Sequence, residues 1–225
     1  MNDDELRSLL QSRLDAVEQR IRVACERSGR LRNEVRLIAV TKTVSANVAK
    51  LLPEFGVFDL GESRPQALWA KFDEMKIDGL HWHFVGHLQR NKLEKTLPMV
   101  SWIHSLDSVR LAEAINAEAK EPINVLIEVN ASREPKKGGF APEDVPAIFE
   151  TISKLPKLHI AGLMTMAAYD DDPERSRPTF AEVRALRDRL GLEHLSMGMS
   201  NDYEVAIEEG ATFIRLGTTL FEGLE

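Results

Sequence analysis

The chain has 225 residues, 43% hydrophobic and 29% charged, which excludes a disordered protein and is enough for a core that needs no disulfide or metal. Its 29 Lys and Arg against 36 Asp and Glu give a net charge of −7, a poor match for nucleic-acid phosphates or anionic lipid. One cysteine, Cys25, excludes an internal disulfide and every two-cysteine zinc or redox motif. The acidic start Asn2-Asp3-Asp4-Glu5 lacks the apolar segment of a secretory signal, and no apolar run approaches the ~20 residues of a membrane span. The expectation is a cytosolic protein, bound to neither nucleic acid nor membrane, folded as one domain over 1–225.

The first predicted element is an N-terminal helix within 1–29. Leu6, Leu10, Leu14, Val17, Ile21 and Ala24 recur at steps of three and four, and Gly29 stands where a helix stop belongs. An alternation follows. Predicted strands cover 35–41, 57–60, 81–85, 102–104, 124–129, 159–164, 195–197 and 213–216. Between them come predicted helices over 46–55, 66–75, from about 91, over 109–119, over 145–155, around Phe180, Val183, Leu186 and Leu190, and over 203–209. Eight strands, seven of them followed by a predicted helix, predict an α/β fold whose parallel sheet closes into a compact (β/α)8 TIM barrel. An open doubly wound sheet fits less well, because no G-x-G-x-x-G turn is present. The acidic stretch Asp170-Asp171-Asp172-Pro173 reads as a solvated loop, with Pro178 near the start of its helix.

Such a barrel places its site at the C-terminal ends of the strands, often with phosphate held after strands seven and eight. After the seventh strand, Gly198 permits a tight turn, and Ser200 offers a hydroxyl and a backbone N–H to an anion or to its own helix. After the eighth, Gly217 and Thr218 can present N–H groups to a phosphate. Arg215 alternates with Ile214 and Leu216, so it points into the barrel, where a buried cation needs a partner. Lys42 ends the first strand and faces the same mouth as a candidate imine-forming amine. Lysine, arginine and a phosphate cradle together match an aldehyde cofactor with a phosphate arm, pyridoxal phosphate. Other strand ends carry Glu62-Ser63-Arg64, His83 and His87, Ser105 and Asp107, Asn130, and Thr165-Met166. His81 and His83 share a strand face at metal-ligand spacing, but without a carboxylate cluster no metal site is expected. Lys136-Lys137-Gly138-Gly139 reads as a flexible solvated loop, with a phosphate or substrate contact as the alternative, and Cys25 as a packing residue.

These residues sit in longer motifs: Ala39-Val40-Thr41-Lys42, the run from Trp82 through His83 to Lys92, His104-Ser105-Leu106-Asp107-Ser108, Gly162-Leu163-Met164-Thr165-Met166, the run from Leu195 to Asp202, and Arg215-Leu216-Gly217-Thr218. Through them the sequence resembles the pyridoxal phosphate homeostasis proteins, whose fold is that of the alanine racemase N-terminal domain, over 35–223. The resemblance implies a protein that binds pyridoxal 5'-phosphate without catalysing a reaction and takes part in vitamin B6 homeostasis. It implies a covalent imine at Lys42, Arg215 facing the pyridine nitrogen, and Ser200, Gly217 and Thr218 on the phosphate. Met166 would lie near the ring, and Ser63 and His83 would complete the cofactor-binding set. Where the family usually reads Gly-Glu-Asn, this chain reads Gly61-Glu62-Ser63, a shorter hydroxyl in place of an amide. Apo pyridoxal-phosphate enzymes would be the recipients, and the protein would be a monomer. The alternative is a racemase-like enzyme. That would need acid/base groups on both faces of the substrate carbon. Only Tyr169 and Tyr203 offer a phenol, neither obviously placed, and a chain ending at Glu225 leaves no room for the racemases' second domain.

Overall fold

The computed structural model describes residues 2–135 and 137–224. Strands β1 (Arg36–Val40), β2 (Asp59–Glu62), β3 (His81–Phe84), β4 (Trp102–Leu106), β5 (Ile123–Glu128), β6 (Leu158–Met164), β7 (His194–Ser196) and β8 (Phe213–Leu216) form a parallel barrel in chain order. It closes where Arg36 to Ala39 pair with Phe213 to Leu216. This is the (β/α)8 architecture that the alternation predicts.

The barrel interior is small and mixed. Ile38, Val40, Leu126, Ala161, Met164 and Phe213 form an apolar cluster inside it, with Val85, Trp102 and Met166 packed against them. The other strand face belongs to a second, larger core shared with the helices: Ile214 and Leu216 lie there, while Phe213 lies inside. Period-two alternation along β8 therefore sends Arg215 inward, where it is 6% exposed.

Around the barrel run α1 (Asp3–Arg27), α2 (Ala46–Ala49), α3 (Pro65–Glu74), α4 (Leu93–Thr96), α5 (Val109–Glu118), α6 (Val145–Ile152), α7 (Arg177–Leu190), α8 (Tyr203–Glu208) and α9 (Thr218–Phe221). Helix α1 starts in a capping box between Asn2 and Glu5 and buries Leu10, Leu14, Val17, Ile21, Ala24 and Cys25. Cys25 is a packing residue, as expected, and burial pushes its thiol pKa up. The apolar stripe of α1 rests on α8 and α9. Arg13 extends the attachment by donating to the carbonyls of Leu220 (3.0 Å) and Glu222 (2.7 Å), so α1 braces the elements that follow β7 and β8.

Several boundaries differ from the sequence expectation. The helix predicted over 46–55 is α2 followed by a 3-10 turn at Leu52–Phe55, because Pro53 lacks the N–H a continuous helix would need. The segment from 91 is likewise short α4 flanked by 3-10 turns, with Pro98 inside the second. The acidic loop holds a 3-10 turn at Pro173–Ser176, and Pro178 lies in the first turn of α7. Strand β2 starts two residues later than predicted and extends through Glu62. Apolar counting ends a strand at a carboxylate, but this one is fully buried and partnered. Its Oε1 takes the Thr41 hydroxyl at 2.8 Å and the Lys71 ammonium from α3, and Lys71 also donates to the Thr41 carbonyl. This ion pair fixes the end of β1 from behind, one residue before Lys42.

A polar chain crosses the interior. Asp59 Oδ1 meets His83 Nε2 at 2.9 Å, His83 Nδ1 meets His104 Nε2 at 2.9 Å, and His104 Nδ1 meets Ser196 Oγ at 2.7 Å. Ser196 Oγ in turn accepts from Arg215, whose other terminal nitrogen donates to the Thr165 carbonyl at 3.0 Å. His83, His104 and Ser196 are fully buried. Burial lowers the pKa of His83, with Asp59 opposing, and holds His104 well below the ordinary histidine value.

Two outcomes follow from these contacts. Replacing Lys71 with Met strands the Glu62 carboxylate and is expected to cost about 3–5 kcal/mol in denaturant unfolding, with much of it recovered in Lys71→Met/Glu62→Leu. Equal losses in the two proteins would contradict a buried pair. Second, His83 and His104 are neutral in the fold but charge once unfolded, so below about pH 6.5 the unfolded chain binds more protons. Stability is therefore full above that pH and declines as pH falls toward the lowered folded-state values. Each histidine contributes a slope of up to about 1.4 kcal/mol per pH unit. Urea unfolding between pH 7.5 and 5 should show this decline, and in His104→Gln it should be shallower.

Candidate active site

At the C-terminal ends of the strands lies a hollow of about 540 Å³, lined by both apolar and polar side chains. That volume suits a small organic ligand. Lys42, Ser63, Met166, Ser200, Arg215, Gly217 and Thr218, all expected from the sequence, line it together. His83 does not. It sits one inward step below Val85, which does line the hollow, and both its ring nitrogens are engaged by Asp59 and His104. His83, which the resemblance implies as a cofactor-binding residue, shares the inward face with Val85 but lies one layer below the lining of the hollow.

Arg215 forms part of the floor. Burial pushes its pKa down to about 10, with Asp202 and Glu128 holding it up, so it remains a cation at neutral pH. Lys42 stands at the opposite character of site: it is exposed, on the turn after β1. Its carbonyl accepts from Arg64 at 3.1 Å, which ties that turn to the loop after β2. Ser63 lies beside it on that loop, packed so closely against Gly86 that a Cβ there would fall 2.2 Å from the Ser63 carbonyl oxygen.

The loops after β7 and β8 make the far wall. Gly198 has φ +91°, and a Cβ on it would come within 2.6 Å of Ala206 Cβ, so only glycine turns the chain here. Asp202 holds the loop, accepting from the Met199 N–H at 2.7 Å and the Ser176 hydroxyl at 3.1 Å. Ser200 caps not its own helix but the next one, its Oγ accepting from the Thr219 N–H at 3.2 Å. Among the described residues, the backbone N–H groups of Ser200, Asn201, Gly217 and Thr218 have no protein acceptor. Unpaired donors on two adjoining loops beside a buried cation make a site for an anion.

Two residues outside the expected cofactor-binding set also reach the hollow. Lys137 was expected in a solvated loop, but its ammonium donates to the Ala167 carbonyl at 3.0 Å and pairs with Glu134 at 2.7 Å, folding the loop after β5 over the mouth. Asn130 holds that loop from within by donating to the Glu134 carbonyl. Lys136 lies outside the described residues. Tyr169 stands 82% exposed on the rim and donates to Asp171, which raises its pKa. Nothing local in the sequence marks either role, since each depends on how two loops meet. Glu128 is buried at the end of β5. Burial, reinforced by nearby Asp107, raises its pKa.

A larger hollow of about 620 Å³ opens at the other end of the barrel, among Arg30, Arg36, Arg184, Arg187 and His194. Its arginines are already matched: Arg184 by Glu209, Arg187 by Asp188, Arg36 by Asp59 and Arg30 by Glu34. The smaller hollow is the candidate site because its loop N–H groups have no protein acceptor and its cation is met by a hydroxyl and a carbonyl rather than by a carboxylate.

Comparison with known proteins agrees with this geometry. Residues 12–224 match the family model "Alanine racemase, N-terminal domain". The chain is 45% identical over 218 residues to the pyridoxal phosphate homeostasis protein of Aquifex aeolicus, covering 93% of this chain and 96% of that one. It is 38% identical over 219 residues to that of Pseudomonas aeruginosa, covering 95% of each. PipY of Synechococcus elongatus, solved with PLP bound, superposes with a TM-score of 0.82 at 32% identity, covering 94% of this chain and 99% of that one. An alanine racemase from Clostridium difficile shares the fold, with a TM-score of 0.73 at 20% identity, and this chain covers 56% of it. By sequence and by fold, the chain belongs to the pyridoxal phosphate homeostasis family, built on the alanine racemase N-terminal domain.

Proposed function

We propose that this protein holds pyridoxal 5'-phosphate in the C-terminal hollow as an imine of Lys42 and supplies it to apo enzymes, without catalysing turnover. The observation that carries the reading is the meeting of Lys42, Arg215 and the unpaired N–H groups of two loops around one hollow of about 540 Å³. The donor set fits the group: an exposed primary amine for an aldehyde, unpaired N–H groups for a phosphate, and a buried cation for the ring edge. When bound, the cofactor supplies an aldehyde carbon that condenses with an amine and releases one water. Lys42 provides that amine from a turn held by the Glu62–Lys71 pair. Ser200, Gly217 and Thr218 orient the phosphate. Arg215, a donor with no acceptor atoms, opposes a proton on the ring nitrogen and so weakens the ring as an electron sink. Met166 and Val85 exclude water from part of the wall.

The same geometry disfavours racemisation. Tyr169 reaches the rim, but its phenol is engaged with Asp171 and its raised pKa keeps it protonated, a poor base. Tyr203 is 1% exposed and pushed up to about 12 by burial. Four large hydrophobics stand exposed among the described residues, Leu31, Phe58, Tyr169 and Met199, the last two together at the hollow, and so small a number supports a monomer. No helix among the described residues is long and apolar enough to cross a membrane.

Borohydride reduction with peptide mapping tests the assignment. A visible band that bleaches and maps to Lys42 is expected. Lys42→Ala should abolish it while changing stability by less than about 0.5 kcal/mol, as for other exposed sites. A reducible adduct persisting in Lys42→Ala at wild-type level would refute the role of Lys42. Arg215→Gln should leave the adduct in place and raise the pH at which the ring nitrogen loses its proton; an unchanged pH profile would place Arg215 away from the ring.

A further inference from the structure

We propose that Ser196 and His104 are positioning residues for Arg215, forming with His83 and Asp59 a hydrogen-bonded chain of one fixed direction through the barrel axis. The inference rests on the reading above for the ligand, but the chain itself is read from the protein alone. Its direction follows from its two ends. A guanidinium only donates, so Ser196 Oγ accepts from Arg215 and turns its own hydrogen elsewhere. The neighbouring acceptor is His104 Nδ1 at 2.7 Å, which takes that hydrogen when it is unprotonated, the state the Asp59 end requires of neutral rings. A neutral His104 carries its proton on Nε2 and donates it to His83 Nδ1, and His83 donates from Nε2 to the Asp59 carboxylate. A carboxylate only accepts, so the far end agrees with the near end.

Reversing the chain with both rings neutral would set an unprotonated His83 nitrogen against the Asp59 carboxylate, acceptor against acceptor. It would also leave the Ser196 hydrogen without this partner. The groups facing the chain do not supply a substitute. Arg36 approaches Asp59 at 3.5 Å, and Trp102 and Phe213 wall the two rings with aromatic surface. Arg215 is thus fixed from behind at two points, Ser196 and the Thr165 carbonyl, and its orientation at the floor of the hollow is set by a carboxylate on the first residue of β2. Such a chain lies entirely outside the ligand's reach, yet it decides where the cation points.

Long-range 1H–15N NMR of the ligand-free protein reads the direction. Both His83 and His104 are expected as neutral Nε2–H tautomers near pH 7.5; an Nδ1–H tautomer at either overturns the proposal. Ser196→Ala is expected to weaken pyridoxal phosphate binding about tenfold, as for a lost buried hydrogen bond to a charged group, and to shift the pH profile of the bound cofactor's absorption. Ser196→Thr should restore both to within about twofold. Unchanged affinity and pH profile in Ser196→Ala, with wild-type adduct at Lys42, would overturn the positioning role while sparing the cofactor reading. Failure of the wild-type protein to bind pyridoxal phosphate would overturn that reading, and with it the role toward the ligand, whereas the tautomers would still report the chain.

Discussion

A permanent cation inside an apolar barrel is the constraint on which the rest of the structure turns. Arg215 enters the interior because β8 alternates, and an ion placed there without partners would cost several kcal/mol. The interior answers with the Thr165 carbonyl and Ser196, and behind Ser196 with two histidines and Asp59. Asp202 and Glu128 supply compensating charge at the C-terminal end. The apolar cluster is correspondingly small. Polar satisfaction in the middle of the barrel is exchanged for acid sensitivity, since neither buried histidine accepts a second proton readily.

Around that cation the site divides into rigid and open parts. The floor and far wall are fixed by buried interactions: the Arg215 contacts, the Gly198 turn, Asp202 and the brace of α1 on α8 and α9. Lys42 is exposed, at the mouth. A rigid anion cradle with an open amine suits capture and release of an aldehyde better than turnover, which calls for a closed site with proton donors on both sides of a reacting carbon.

Much of this was legible in the residues. Strand order and barrel closure follow from period-two and period-3.6 patterns, and Arg215 between Ile214 and Leu216 announces its own inward direction. The failures have physical causes. Strand β2 runs on past Leu60 because Glu62 is neutralised by Lys71, nine residues away, and such pairing is invisible to local hydropathy. His83 shares the inward face with Val85 but lies below the hollow, and alternation specifies a face, not a depth. Lys137 reads first as solvated, because nothing nearby in sequence reveals that the Ala167 carbonyl waits across the mouth. Short α9 escaped notice, as four residues carry no periodicity. Ser63, at the end of Gly61-Glu62-Ser63, lies on the wall of the hollow.

The central claim is that one hollow takes the ligand by three groups at once: an amine on one side, a cation below and N–H donors on the far wall. A crystal structure of the protein grown with pyridoxal phosphate tests this most directly. The account predicts continuous density from Lys42 Nζ into the C-terminal hollow, with the phosphate between the loops bearing Ser200 and Thr218 and the ring edge toward Arg215. Density at the opposite end of the barrel near Arg187, or on another lysine with the C-terminal hollow empty, would contradict it.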